Sequence, residues 1–348
     1  MNLKELSNHL GLSQTTVSRA LNGYPEVSET TRARVVAAAD RHGYRPNTRA
    51  KALATGRSMA IGHILPVSTR NEMVNPVFAD FIAGASETYS RAGFDLVLSV
   101  VGDQDQGTHA RDLAGRRAVD GFIVHAPRPE DPRIALLKEI CIPFVVHGRA
   151  TGADPDHAWV DINNLRAFRR ATEFLADLGH RRIALLNGLE TYDFAQRRRA
   201  GFLEAHAARG LEPDETLMSS SEMTEQNGYT AARELLERSD PPTALLCSSI
   251  IIAFGARRAV DGLGLRLGKD VSLISHDDVL SYFRNGGEEP YFTAIRSSVW
   301  DAGRQAAEAL MEQIADPRKR PQILLETDFV IGGSTGPAPD MEHRLKEA

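Results

Sequence analysis

The chain has 348 residues, 42% of them hydrophobic and 25% charged, a globular composition that excludes a disordered chain and needs two or three domains rather than one core. No apolar run reaches the roughly 18 residues that cross a bilayer, and the opening MNLKELSNHL has neither an apolar core region nor a cleavage site, so export is not expected. The net charge of −5 hides an asymmetry: residues 1–57 carry nine Lys/Arg against four Asp/Glu, a balance of +5 that leaves −10 for the remainder, and a small basic module on an acidic body suits phosphate contact at one end.

In chain order, Leu3, Leu6 and Leu10 fall at helical spacing, and Gly11 supplies a tight turn. Ser13 can cap a second helix, Gln14 to Leu21, with Val17, Ala20 and Leu21 as its apolar face; Ser28 can cap a third, Glu29 to His42, closed by Val35, Val36 and Ala39. Two short helices around a glycine turn with a third behind form a helix-turn-helix unit over residues 1–45. Its second helix would enter the major groove, where Ser13, Gln14, Thr15, Thr16, Ser18, Arg19 and Asn22 are the candidates for DNA contact. Gln can bond adenine through two atoms, and Arg can do the same to guanine.

The run Leu12-Ser-Gln-Thr-Thr-Val-Ser-Arg-Ala-Leu-Asn22, followed by Val27-Ser28, Thr31-Arg32 and Gly43-Tyr44-Arg45-Pro46-Asn47, resembles the signature of the LacI/GalR repressor family. The likeness extends through Ala50, Leu53, Ala54 and Ser58 into Ile61-Gly62 and covers essentially the whole chain; the N-terminal run also looks like regulators of α-glucoside uptake. Residues 46–58 would then be a hinge. A helix of about nine residues is unstable alone in water, and in the family two such helices fold together on DNA. The resemblance implies DNA contact by Asn47 and Ala50, with Leu53 wedged into the minor groove, where unstacking is exchanged for a bent duplex that touches more protein.

From residue 60 onward, strand-length apolar runs (Ala60–Leu65, Leu96–Val100, Gly121–His125, Pro143–His147, Arg182–Asn187, Thr243–Ser248, Val271–Ser275) alternate with helical patterns (Phe78–Arg91, Asn164–Leu178, Ala195–Arg209, Gln226–Arg238, Ile250–Gly262, Val299–Ile314). Such alternation predicts parallel sheets covered by helices, and about 280 residues divide into two doubly wound halves. The resemblance implies a periplasmic-binding-protein-like core over 59–340, with one subdomain from 59–157 plus 290–318 and the other from 158–289 plus 319–340. Cys141 and Cys247 lie in apolar segments and read as buried thiols in a reducing, cytoplasmic compartment.

Ligands of such sheets sit beyond the carboxyl ends of the strands, which places the effector in the cleft. Carried over position by position, the resemblance implies contact by Phe78 as a stacking surface, His125 at a strand end, Arg149, Arg198 within Arg197-Arg198-Arg199, Met223 and Asp277. The sequence departs from the family at Ser249-Ile250, where many members carry Asn-Asp. Serine cannot make the two-atom amide contact, so a ligand larger than a simple monosaccharide, a disaccharide such as an α-glucoside, is expected.

No phosphate-binding glycine loop, nucleophile elbow or metal-spaced His/Cys cluster appears, so neither an enzyme nor a cofactor is expected. The reading is a sequence-specific repressor, homodimeric on operator DNA and controlled by a sugar. Residues 335–348 hold no sustained leucine heptad, which favours a dimer over a tetramer. The alternatives are a sugar-binding transport protein or a nucleoside-responsive regulator of the same fold.

Overall fold

A computed structural model of the chain describes residues 1–21, 23–44, 57–66, 75–102 and 104–339; Asn22, Asn47, Ala50 and Leu53, all expected at DNA, lie outside the described residues. The chain forms two compact units, a small one dominated by Met1–Met59 and a large one that holds Ala60–Arg116 and Asp120–Ala348.

In the small unit, α1 (Leu3–Leu10) opens with a reciprocal capping box between Asn2 and Glu5 and stops at Gly11, which takes φ 65°. Ser13 Oγ accepts the Thr16 N–H at 3.0 Å and so starts α2 (Gln14–Leu21). Ser28 does the same for α3 (Glu29–Arg41). Leu6, Val17, Ala20, Val35, Ala38 and Ala39 close the core. Val36, expected inside, is 42% exposed and Ala38 takes its place, because the helical repeat brings 35, 38 and 39 rather than 36 onto the packed face.

The large unit contains two parallel-sheet halves. The first sheet has the order β11-β5-β4-β3-β1-β2, from β1 (Ala60–Pro66), β2 (Asp95–Val101), β3 (Gly121–His125), β4 (Phe144–His147), β5 (Ala158–Ile162) and β11 (Gln322–Leu325). The second has the order β12-β10-β9-β8-β6-β7, from β6 (Ile183–Asn187), β7 (Met218–Ser220), β8 (Ala244–Cys247), β9 (Ser272–Asp277), β10 (Thr293–Arg296) and β12 (Asp328–Val330). Every pairing is parallel except the antiparallel edge pair β10 and β12.

Helices α4 (Pro76–Ala92), α5 (Gln106–Gly115), α6 (Pro132–Glu139) and α11 (Val299–Ala315) belong with the first sheet, and α7 (Asn164–Asp177), α8 (Asp193–Ala208), α9 (Glu225–Leu236) and α10 (Ile250–Gly262) with the second. The helices over 106–115 and 132–139 are additional to the helical patterns of the sequence. Helices α4 and α11 touch backbone to backbone: a Cβ on Gly84 would lie 1.9 Å from the Trp300 carbonyl oxygen, and one on Gly303 would lie 2.1 Å from that of Phe81. Only glycine permits that approach.

The subdomain boundaries differ from those expected. Strand β5 pairs with β4 and β11 in the first sheet, and β10 pairs with β9 in the second. The chain therefore crosses at 163, 297–298 and 326–327, after each strand, and not at 158, 290 and 319. The physical reason is that the backbone of 158–162 finds its ladder partners in the first sheet. The polar turn at 154–157 looks like a boundary but is only a loop between neighbouring strands. Two crossings lie together, since Asn163 N–H donates to the Leu325 carbonyl at 2.9 Å.

Candidate functional site

A cavity of about 340 Å³ lies between the two halves, within the range of small-ligand pockets. Its polar walls are strand ends. His125 closes β3, His147 closes β4, and Asp161 is next to last in β5; facing them, Ser248 follows β8 and Asp278 follows β9. The parallel order produces this convergence, because the parallel strands of each half deliver their carboxyl ends to one edge. Apolar surface comes from Phe78 and Phe81 on α4 and from Phe194, Met223 and Ile251 of the second half.

Arg198 is the cation of the site and is 6% exposed. Its Nε donates to Asn164 Oδ1 at 2.8 Å and its Nη1 to the Ser248 carbonyl at 2.6 Å. The rings of Phe194 and Phe168 lie 4.9 and 5.2 Å from its guanidinium carbon. Burial pulls its pKa down to about 10, against the opposing pull of Asp278 and Asp161, so it stays charged at neutral pH. Those two carboxylates act on Arg198 through space, and no direct ion pair joins either of them to it among the described residues. A cation and two buried carboxylates held apart across a cavity suit a ligand with several hydroxyls, which can donate to carboxylates and accept from the guanidinium at once.

Three further residues named from the sequence reach the cavity. Phe78 and His125 pack edge to face with ring centroids 5.2 Å apart, and Met223 Sδ lies 3.9 Å from Arg198 Nη1. Arg149, Ser249 and Asp277 are not on the wall. Arg149 bonds Asp161 at 2.7 Å and lies over Trp159, so it orients a carboxylate that does face the cavity. Ser249 caps α10 by accepting the Ile252 N–H at 3.2 Å. Asp277 Oδ1 accepts the Val279 N–H at 2.9 Å, while Oδ2 lies 3.4 Å from Arg296 on the paired strand. The neighbour Asp278 is the one exposed to the cavity, beyond the ladder that occupies Asp277.

His147, Asp161, Asn164 and Asp278 also line the cavity and are not among the candidates named from the sequence. A signal existed for Asp161, a lone carboxylate in the apolar run Ala158-Trp-Val-Asp-Ile162, since a buried charge in a strand requires a partner or a purpose. His276 Nδ1 stands 3.2 Å from Asp278 Oδ1 but lacks the angle of a hydrogen bond.

Behind the cavity, His63 Nδ1 and His125 Nε2 are 2.8 Å apart, and His63 Nε2 meets the Tyr89 hydroxyl at 3.0 Å. Burial lowers His63 to about 3; it lowers His147 to about 4 although Asp278 pulls the other way. His125 is pushed well below 6.5 by burial, then by His63, His147 and Arg133. All three are neutral at pH 7. Between pH 6.5 and about 4 the unfolded chain binds protons that the folded chain refuses, so stability falls as the pH drops through that window. We expect a slope of up to about 1.4 kcal/mol per pH unit for each histidine, read by urea unfolding between pH 7 and 5. His63→Gln should flatten the curve, and an unchanged slope in that variant would show that His63 takes no part.

In the small unit, Gln14, Thr15 and Arg19 are exposed on α2, and Ser18 and Thr16 are half-buried. The exposed face of α2 thus presents the Gln14 amide in its first turn and the Arg19 guanidinium in its last to solvent, opposite the buried Val17 and Ala20.

Comparison with known proteins gives two family matches, "Bacterial regulatory proteins, lacI family" over residues 2–47 and "Periplasmic binding proteins and sugar binding domain of LacI family" over residues 58–331. The chain is 44% identical over 341 residues to the HTH-type transcriptional regulator AglR of Rhizobium meliloti (strain 1021), covering 98% of this chain and 96% of that protein. It is similar to the solved transcriptional regulator CelR–cellobiose complex with a TM-score of 0.70 and 30% identity, covering 95% of this chain and 99% of that one. The lac repressor dimer bound to operator and the anti-inducer ONPF matches in fold, with a TM-score of 0.82 at 24% identity over 97% of this chain and 99% of that one.

Proposed function

The chain belongs to the LacI family of bacterial transcriptional regulators, and from that premise we propose that it is a homodimeric repressor whose effector is a neutral disaccharide of the α-glucoside type. The observation that carries the effector class is the pairing, across one cavity, of the Arg198 guanidinium with the Asp161 and Asp278 carboxylates beside the Phe78 and Phe194 rings. Charged groups of both signs favour a neutral polyhydroxyl ligand over an anion or a cation, and aromatic faces suit the apolar faces of pyranose rings. The CelR–cellobiose complex shows a similar chain with a disaccharide bound.

The operator is read by α2, with Gln14, Thr15 and Arg19 meeting base edges and Ser13, Thr16 and Ser18 supporting them. Asn22 joins them at the end of the reading helix, and the hinge residues Asn47, Ala50 and Leu53 complete the contact, Leu53 in the minor groove. A homodimer presents two such helices to two half-sites. In keeping with self-association, β2 is an edge strand that exposes Leu98 and Val100 on one face. Such a protein works in the cytoplasm beside the nucleoid.

Two measurements on the full chain test this. Selection from a randomised duplex pool should enrich a pseudo-palindrome, and Arg19→Ala should weaken binding to it by about 10- to 100-fold while relaxing one position of each half-site. Retention of all duplexes alike would reject sequence-specific reading. A thermal-shift panel of sucrose, maltose, trehalose, cellobiose and their monosaccharides should show a rise with a disaccharide, because a ligand at a hundred times its Kd adds about 2.7 kcal/mol of stability. A rise only with monosaccharides would overturn the disaccharide assignment.

A further inference from the structure

We propose that Asp193 and Arg197 form a latch that holds the two halves of the effector domain closed over the cavity, and that they act on effector release without touching the effector. Asp193 opens α8 in the second half and is 1% exposed. Its N–H donates to the Pro127 carbonyl at 3.0 Å, and its Oδ2 accepts the Thr151 N–H at 2.6 Å. Pro127 and Thr151 lie in the loops after β3 and β4 of the first half. Arg197, one turn on, pairs with Asp193 Oδ1 and extends Nη2 to Thr151 Oγ1 at 3.0 Å. The two loops are themselves joined, since Glu130 N–H donates to the Thr151 carbonyl at 2.8 Å. Asp131 then holds the first loop by accepting the Arg128 N–H at 3.0 Å.

An acid in the first turn of a helix is ordinarily satisfied by its own helix's free N–H groups. Asp193 instead gives Oδ1 to Arg197 of its own helix, and commits Oδ2 and its own N–H to groups of the first half that stand beside it only while the halves are together. A buried carboxylate depends heavily on its hydrogen bonds, and opening the cleft removes the Thr151 N–H from Oδ2, the Pro127 carbonyl from the Asp193 N–H and the Thr151 hydroxyl from Arg197 together. The latch borders the cavity directly, because Pro127 and Tyr192, the residue before Asp193, both line it. A second clasp joins the same halves elsewhere: Ser281 N–H, after β9, donates to Asp80 Oδ2 of α4 at 2.6 Å. The three consecutive arginines therefore divide their work. Arg197 closes the cleft, Arg198 faces the cavity, and Arg199 bonds Glu215 on the surface at 2.7 Å.

The inference rests on the reading that this cavity takes the effector, and the experiment separates the two. Amide hydrogen exchange on the ligand-free full chain is compared among wild type, Asp193→Ala and Arg197→Ala. A latch predicts that exchange rises several-fold at the distant Ser281 amide as well as in 126–131 and 148–153, with β3, β4 and β6 unchanged. Conversely, Asp80→Asn should speed exchange at the Thr151 amide. Change confined to the loops that Asp193 touches would reduce the pair to local packing and overturn the proposal. Arg197→Ala keeps the test open if Asp193→Ala fails to fold. Maltose dissociation, followed separately by stopped flow, should be about tenfold faster in the variants. If the wild type binds no sugar, the cavity reading fails while the exchange result still decides the latch.

Discussion

Replacing Arg198 with alanine is expected to abolish the response to the effector while leaving operator binding in place. The guanidinium makes two short bonds, to Asn164 and to the Ser248 carbonyl, and offers the remaining donors to the cavity. Removing it takes charge-assisted hydrogen bonds from the ligand, roughly 2–4 kcal/mol or about 30- to 1,000-fold in Kd. It also leaves Asp278, almost fully buried, without the positive charge that acts on it through space, whereas Asp161 keeps its ion pair with Arg149. Arg198→Lys should recover only part of the affinity, because an ammonium cannot reach Asn164, Ser248 and a ligand hydroxyl as one planar fork. The measurement is a sugar titration by calorimetry, followed by operator binding with and without that sugar. A sugar affinity unchanged in Arg198→Ala would remove this residue from the site and with it the effector class proposed above.

The second large effect is structural. Gly303→Val should destabilise the large unit by about 3 kcal/mol or more, since the added carbons meet backbone rather than a movable side chain. For a domain of this size that is a fall of roughly 5–10 °C in Tm. Gly84→Val, on the facing helix, should do the same. The consequence reaches the site, because α4 carries Phe78 and Phe81 and α11 begins at Val299, and all three line the cavity. Sugar affinity should therefore fall together with Tm. Gly107→Ala is the contrast: its Cβ would meet only Leu136 methyl groups at 3.7 and 3.8 Å, so helix propensity should make it neutral or slightly stabilising. Equal melting temperatures for Gly303→Val and Gly107→Ala would contradict the close crossing of α4 and α11.

These expectations divide along a physical line that also separates what could be read from residue order from what could not. The head was legible almost to the residue. Caps at Ser13 and Ser28, the glycine turn and the apolar spacing of Leu6, Val17 and Val35 are local features whose energetics act within one or two turns. The alternation of strands and helices was legible for the same reason, and with it the doubly wound class. The family resemblance names Phe78, His125, Arg198 and Met223 as candidates, and all four line the cavity.

What sequence order left undecided depends on partners distant in the chain. Whether 158–162 belongs to the first half or the second is settled by hydrogen bonds to Phe144–His147 and to Gln322–Leu325, and no local pattern encodes a partner some 160 residues away. Asp277 and Asp278 are adjacent acids with the same propensities. One is consumed by the backbone of Val279 and by Arg296 across the ladder, and the other looks into the cavity. Of three arginines in a row the resemblance singles out Arg198, and only the structure gives each a separate partner. Residue identity and spacing determined which elements form and that a basic reader of DNA is joined to a two-sheet receptor. Only the tertiary structure decided which of several equivalent charges is buried against the cavity, because that choice is made by the far partner that desolvates or neutralises it.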